Sequence, residues 1–138
     1  MRVTYLLDTN TVSYIAKGKS PAARARLEAL GEEEIACIST ITEAELRYGL
    51  AKRPSAHTLR AAVEALLFKF RILPWGSKEA AAYGGLRARL EAAGLTLSEL
   101  DLQIAAHSVA VGAVLVTNDK AFLRVEDLRE TVNWAPDI

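Results

Sequence analysis

The sequence predicts an α/β fold: a three-layer α/β/α sandwich with a central sheet of four to five mostly parallel strands. Short, continuously apolar segments alternate along the chain with longer segments in which apolar residues recur every three to four positions. Strands that are apolar on both faces are typical of parallel sheets covered by helices on either side. The connections between such strands are expected to be right-handed.

The strands are predicted from their apolar runs and from the turn residues that bound them. They occupy residues 3–7, 35–38, 72–73 and 113–116, and a last edge strand is predicted at 130–134. Each run is short, so we expect helices to make up the larger share of the fold.

The helices are predicted from apolar periodicity and from capping residues. Ser20 followed by Pro21 is typical of a helix start, and Gly31, Gly94 and Gly112 are suited to the position after a helix end. The predicted helices occupy residues 11–17, 21–31, 42–53, 55–70, 77–93 and 98–112, with a short helical segment around 121–123.

Length and composition favour one domain over residues 1–138. The chain is 51% hydrophobic and has a formal net charge of zero, which argues against a generally polyanion-binding protein but leaves local basic patches open. Its single cysteine, Cys37, lies in an apolar run and has no partner for an internal disulfide. No apolar stretch approaches the roughly 20 residues that span a membrane. We expect a cytoplasmic protein without a leader or a membrane anchor.

Four carboxylates stand out by their positions in the predicted elements. Asp8 directly follows the first strand, and Asp119 follows the strand at 113–116. Glu45 and Asp101 lie in the predicted first turns of two helices. In an open parallel sheet, ligands bind at the carboxyl ends of the strands, where the helices that follow also begin.

Each acid also has a purely structural interpretation. Thr42 and Glu45 match a capping box, and Ser98 and Asp101 match the same pattern with aspartate. Asp119 is suited to cap the short helix that follows it. Asp8 is suited to begin a turn, with Asn10 capping the next helix.

Taken together, the four acids favour a metal site. Like charges that lie close together raise one another's pKa unless a cation neutralises them. Carboxylates without cysteine or several histidines suit a hard divalent ion, Mg²⁺ or Mn²⁺, which is well suited to phosphate substrates. Neighbouring short polar residues are compatible with such a site: Thr9, Asn10, Ser39, Thr117 and Asn118.

Four segments of the chain resemble a known family, in order and at suitable spacing. They are Leu-Leu-Asp-Thr-Asn at 6–10, Ile-Ser-Thr-Ile-Thr-Glu-Ala-Glu-Leu-Arg-Tyr-Gly at 38–49, Asp-Leu-Gln-Ile-Ala-Ala-His at 101–107 and Leu-Val-Thr-Asn-Asp-Lys-Ala-Phe at 115–122. Together they resemble PIN-domain proteins, and among these the VapC-type toxins of toxin–antitoxin systems. The resemblance implies that residues 1–138 form a single PIN-like domain.

This resemblance implies an endoribonuclease that depends on Mg²⁺ or Mn²⁺. It assigns Asp8, Glu45 and Asp101 to the metal site, with Asp119 as a more variable fourth acid. Supporting polar positions are assigned to Asn10, Ser39 and Thr117. It further implies tRNA or rRNA as substrate, a homodimer, and a cognate antitoxin protein that blocks the acidic pocket.

Two other interpretations remain open at this point. A metal-dependent phosphatase of the aspartyl-phosphate type also places an aspartate after its first strand, but here position 10 is asparagine where a second aspartate is expected. A non-catalytic binding module would use the four acids only as caps. Near the Glu45 helix, Arg47, Lys52 and Arg53 are suited either to meet RNA phosphates or to form a solvated helix face. His107 is expected to be a packed or surface histidine.

Overall fold

The computed structural model describes residues 2–138 and contains one sheet of five strands, all parallel. The strands are β1 (Val3–Leu7), β2 (Glu34–Ser39), β3 (Arg71–Leu73), β4 (Val114–Val116) and β5 (Glu130–Val132). Their spatial order is β3-β2-β1-β4-β5. The edge strands β3 and β5 have three residues each. The predicted parallel sheet is confirmed.

Six α-helices and one 3-10 helix connect the strands in the described part of the chain. They are α1 (Thr9–Ala16), α2 (Pro21–Glu28), α3 (Thr40–Ala51), α4 (His57–Leu67), α5 (Ser77–Ala92), α6 (Glu99–Val111) and the 3-10 helix Lys120–Arg124. Between residues 2 and 138, none of these helices combines the length and the apolar character needed to cross a membrane.

The sheet is covered on both faces, as a three-layer sandwich requires. Leu7 and Ile38 contribute to the apolar core under α1 to α4. Leu6, Cys37 and Leu115 contribute to the core under α5, α6 and the 3-10 helix. Adjacent residues of one strand thus enter opposite cores, which explains why the strands are apolar runs rather than alternating patterns.

Several predicted helix boundaries are confirmed by their caps. The Ser20 hydroxyl accepts from the backbone N–H of Ala23 at the start of α2, and the Ser98 hydroxyl accepts from that of Asp101 at the start of α6. Gly94 and Gly112 follow helices with φ of +71° and +67°, in the left-handed region that glycine adopts without steric cost.

Other boundaries differ from the prediction. The helix expected from residue 21 to Gly31 ends at Glu28, and the one expected at 55–70 spans His57–Leu67. The cap of α1 is Asp8 rather than Asn10, so α1 starts two residues before the predicted position. These shifts are of the size expected where neighbouring turns offer alternative caps.

The order of the strands creates a switch point in the sheet. The chain moves outward from β1 to β2 and β3, and α5 and α6 then carry it back to β4 on the other side of β1. Crevices open where the strand order reverses, at the carboxyl ends of the two central strands. Here those ends carry Asp8 after β1 and Thr117 after β4.

The opposite, amino edge of the sheet contains a compact charged and aromatic cluster. The Arg26 guanidinium lies 2.7 Å from a Glu34 carboxylate oxygen and within 5.4 Å of the ring centroids of both Tyr5 and Trp134. The Tyr5 hydroxyl donates to Glu34 at 2.9 Å. This cluster ties β1 and β2 to α2 and to the segment after β5.

Candidate active site

Asp8 lies where β1 ends and α1 begins, and only 5% of its surface is exposed. One carboxylate oxygen accepts from the Thr11 backbone N–H at 2.8 Å, and the other accepts from the Thr117 hydroxyl at 2.6 Å. The first contact caps α1, so Asp8 itself has the capping role that the structural interpretation gave to Asn10. The second contact comes from the far end of the sequence and has no part in capping.

Asp8 is held in an environment that disfavours its charge. Burial raises the pKa of its carboxyl above the ordinary value; the hydrogen bonds of Thr11 and Thr117 act in the opposite direction, and the negative charge of Asp101 raises it further. No cationic side chain compensates the charge, because Asp8 takes part in none of the ion pairs formed within residues 2–138.

Asp101 approaches Asp8 from the first turn of α6. The Ser98 cap fixes that turn through the Asp101 backbone N–H at 3.2 Å. The side chain of Asp101 is half-buried, and burial raises its pKa; the Ser98 hydroxyl lowers it, and the charge of Asp119 raises it. The charge of Asp101 thus raises the pKa of Asp8, and the charge of Asp119 raises the pKa of Asp101.

Asp119 caps the 3-10 helix, as predicted, by accepting from the Ala121 backbone N–H at 2.9 Å. Its own backbone N–H donates to the Thr117 hydroxyl at 3.0 Å. That hydroxyl in turn donates to Asp8, so Thr117 links the segments that carry two of the acids. The structure thus places the predicted supporting residue Thr117 directly beside Asp8.

Glu45 is placed differently from the prediction. The helix α3 begins at Thr40 with Ser39 as its cap, and Glu45 follows in the second turn. The capping box from Thr42 to Glu45 is therefore wrong. The local pattern was misleading because β2 runs directly into α3 without a loop. Thr42 is buried, and its hydroxyl hydrogen-bonds to that of Thr9 at 3.1 Å.

The Glu45 carboxylate is exposed and lines a cleft together with Thr9 and Asn10. Asn10 is likewise exposed, since Asp8 has taken over the capping role. With its cap interpretation removed, Glu45 has no structural duty that explains it. It is an open acid at the same edge of the fold as Asp8.

Ser39 is fully buried and turned away from this cleft. Its hydroxyl accepts from the Ile41 backbone N–H at 3.0 Å and lies 2.8 Å from Nδ1 of His107. The ring of His107 packs edge-on against Trp75, with centroids 5.7 Å apart, and is completely buried. Its Nε2 has no hydrogen-bond partner among the described residues. Burial lowers the pKa of His107, and the charge of Glu79 raises it.

His107 is therefore a packed histidine, one of the two alternatives predicted. It joins α6, which carries Asp101, to the start of α3, which carries Glu45. The sequence offered no sign of its contact with Ser39, because the two residues are 68 positions apart. Lys17, which lines the same cleft as Glu45, was also not singled out from the sequence. Lys17 lies two helical turns after Asn10, as Lys52 lies two turns after Glu45.

The four acids do not form one compact ligand cage in the structure. Among residues 2–138, no three side chains of the types His, Cys, Asp and Glu are close enough together to hold one metal ion. This arrangement fits Mg²⁺ better than a metal that needs a full protein cage, because Mg²⁺ keeps several waters and binds through one or two carboxylates. Asp8 and Asp101 supply such a pair of uncompensated oxygen donors.

Comparisons with known proteins agree on one family. The model of the PIN domain family matches residues 5–128. A ribonuclease VapC2 of Haemophilus influenzae is 37% identical over 131 residues, covering 94% of this chain and 97% of the relative. A tRNA(fMet)-specific endonuclease VapC of Shigella flexneri is 32% identical, covering 95% and 98%.

Solved structures give the same answer. VapBC2 of Rickettsia felis, bound to a promoter DNA fragment, superposes with a TM-score of 0.89 at 33% identity and 96% coverage of this chain and 99% of that one. The DNA-bound VapBC of Salmonella typhimurium gives a TM-score of 0.86 at 31% identity, with 96% and 98% covered. The chain belongs to the PIN-domain family and is a VapC-type member of it.

Proposed function

We propose that this chain is an endoribonuclease that depends on Mg²⁺ or Mn²⁺ and acts as the toxin of a toxin–antitoxin pair. The observation that carries the proposal is the pair Asp8 and Asp101: both carboxyls have a raised pKa, both are partly or fully desolvated, and each faces another carboxylate. Groups with such shifts in a crevice are candidates for function rather than for stability.

Asp8 and Asp101 would hold the metal ion directly, and Glu45 and Asp119, which do not close around that pair, would reach it through bound water. When bound, the ion would supply a polarised phosphorus centre, an activated water and a stabilised leaving oxygen. The chain itself does the positioning. Asp8 is fixed by Thr11 and Thr117, so its oxygens keep one orientation, while exposed Glu45 would reach the ion through a water.

Relatives and structural neighbours support the biological part of the proposal. The curated relatives are named as ribonucleases or as tRNA-specific endonucleases, and the solved neighbours are VapBC complexes. We therefore propose tRNA or rRNA as substrate, a VapB-type antitoxin as partner, and a homodimer as the assembled toxin.

The decisive experiment is incubation of the purified protein with total tRNA and rRNA in Mg²⁺, in Mn²⁺ and in EDTA, followed by mapping of the cut ends. We expect discrete cuts with either metal and none in EDTA. Two variants sharpen the result: Asp8→Asn keeps a capping residue on α1, and Glu45→Gln changes a side chain that caps nothing. Both should abolish cleavage while the melting temperature stays at or above that of the wild type.

Two outcomes would overturn the proposal. Cleavage that survives both substitutions would leave the acids as structural groups only, as a non-catalytic module requires. Hydrolysis of a small phosphomonoester such as p-nitrophenyl phosphate, with intact RNA in the same buffers, would instead identify a phosphatase.

A further inference from the structure

A cleft of about 210 Å³ opens between α1, α3 and α4 and begins at the acidic edge. Thr9, Asn10 and Glu45 line its inner end, and its floor is apolar. Three cations line it as well: Lys17, Lys52 and Arg53. A second depression adjoins it, shares Lys17 and Arg53, and adds Lys19 and His57. Of the four acids, Glu45 lines this cleft, so a surface of positive charge adjoins the acidic site on the Glu45 side.

The spacing of these charges follows from two helices that run side by side. The helix α1 follows β1 and α3 follows the neighbouring parallel strand β2, so both helices start at the carboxyl edge of the sheet. Lys17 comes seven residues after Asn10 on α1, and Lys52 comes seven residues after Glu45 on α3. At a rise of 1.5 Å per residue, each cation lies roughly 10 Å along the helix from the polar residue seven positions before it.

These cations are not neutralised by the protein. The ion pairs formed within residues 2–138 engage Arg26, Arg47, Arg60, Arg87 and Arg89. None engages Lys17, Lys52 or Arg53. Arg47, for which RNA contact and a solvated helix face were the two alternatives, donates to Glu43 through Nε at 3.0 Å and through Nη2 at 2.9 Å. In a chain of zero net charge, a basic cleft beside acids is a local arrangement that the overall composition conceals.

An aromatic side chain accompanies the cations. The Lys52 ammonium lies 4.6 Å from the centroid of the Tyr48 ring, and 59% of Tyr48 is exposed. Proteins that bind single-stranded nucleic acid without reading its sequence combine a positive groove with exposed aromatic rings. Lys17 and Lys52 also lie at the C-termini of α1 and α3, where the helix dipole attracts cations. If this were their only role, removing them would change the stability of the protein but not its binding of RNA.

We propose that this basic cleft, defined by Lys17, Lys52 and Arg53, binds the phosphates of the RNA strand that flank the bond cut at the acidic edge. The inference deepens the proposed function and rests on it. The charges determine the direction in which the strand leaves the site, along α1 and α3 toward Lys17 and Arg53. The apolar floor supports the sugars and bases that lie between the phosphates.

The test measures binding of a fluorescently labelled 20-nucleotide single-stranded RNA in EDTA, so that affinity is read without metal-dependent cleavage. The dissociation constant is determined at several NaCl concentrations for the wild type and for the triple variant Lys17→Gln/Lys52→Gln/Arg53→Gln. Loss of three phosphate contacts should lower the slope of log K against log salt by about 2 and weaken binding by about tenfold.

A matched control removes the same charge elsewhere. Arg2, Lys69 and Arg71 are exposed and lie where β1 and β3 begin, at the amino edge of the sheet. The triple variant Arg2→Gln/Lys69→Gln/Arg71→Gln should keep the salt slope of the wild type. If the cleft variant unfolds, the single variants Lys17→Gln and Arg53→Gln are expected to lower the slope by about 0.7 each.

Equal slopes in the cleft variant and the control variant would overturn the inference. So would a cleft variant whose only change is a lower melting temperature, because the cations would then serve the helix termini. A cleft that receives only a peptide of a partner protein would also leave the RNA slope unchanged, and the inference would fail in that case too. These failures differ from failure of the proposed function, in which the wild type does not cut RNA with metal.

Discussion

The carboxylates Glu34 and Asp8, at opposite edges of the sheet, have pKa shifts of opposite sign. At the amino edge, hydrogen bonds from Arg26, the Gly31 backbone and Tyr5 lower the pKa of Glu34 to about 2. At the carboxyl edge, burial and the charge of Asp101 keep the pKa of Asp8 above its ordinary value, even though Asp8 receives two hydrogen bonds. A carboxylate with a built-in cation contributes to the fold, whereas a carboxylate without one is poised for a ligand that brings the positive charge.

The largest expected effect comes from neutralising the unpaired acid. Asp8→Asn should lower RNA cleavage by at least about 100-fold, in the range seen when one essential electrostatic contact is lost. Its stability should be equal to or higher than that of the wild type, because asparagine still caps α1 and removes a desolvated charge. Urea unfolding and a cleavage assay on the same preparation measure both quantities. A large loss of stability would show that the edges are alike.

The converse substitution addresses the amino edge. Arg26→Ala removes an ion pair and two cation–aromatic contacts and should lower the free energy of unfolding by about 1–3 kcal/mol. Cleavage by the folded fraction should stay within about twofold of the wild type. Arg26→Lys is the control that keeps the charge but not the forked geometry toward Glu34. Its free energy of unfolding should lie between those of the wild type and Arg26→Ala. Reduced kcat in fully folded Arg26→Ala would contradict the division of roles.

The pH dependence of stability should have opposite signs at the two edges. Glu34 has a pKa below its ordinary 4.5, so its contribution is present above that value and is lost as the pH falls toward 2. Asp8 has a pKa above its ordinary 3.8, so its ionisation destabilises the fold as the pH rises through the interval above 3.8. Urea midpoints of Glu34→Gln and Asp8→Asn, each minus wild type, should thus diverge as the pH rises from acid to neutral. Parallel curves would refute this.

The smallest effect on cleavage is expected at Ser39, which lies at the carboxyl edge of the sheet but has structural contacts. Ser39→Ala removes the cap of α3 and the partner of His107 and should cost about 1–2 kcal/mol of stability. Because its hydroxyl faces His107 rather than the cleft, KM for RNA should be unchanged and kcat should fall far less than in Asp8→Asn. A loss of cleavage as large as that of Asp8→Asn would place Ser39 in the reactive site itself.

The sequence was most informative where structure depends on neighbouring residues. Ser20 with Pro21, Ser98, Gly94 and Gly112 mark helix ends through local geometry, and the structure confirms each of them. The position of Asp8 at the end of β1 was also predictable, because an apolar run stops there abruptly.

The parts that escaped prediction depend on residues far apart in the chain. Thr117 and Asp8 are 109 positions apart, yet one hydroxyl links them at 2.6 Å. The start of α3 was misplaced because Ser39 closes a strand and caps a helix at the same time. Local patterns contain no information about whether Ser39 or Thr42 caps the helix, because tertiary contacts decide between them. Here the cap is Ser39, which also has a buried contact with His107.

The brevity of β3 and β5 has a consequence for the behaviour of this protein in concentrated solution. Exposed edge strands offer unpaired backbone groups on which another chain can add a strand, and this is a common route to aggregation. Each edge here has only three residues, and each begins with a charged side chain, Arg71 or Glu130. The sheet therefore ends in templates too short and too charged to recruit further copies, even at the concentrations needed for crystallisation or spectroscopy.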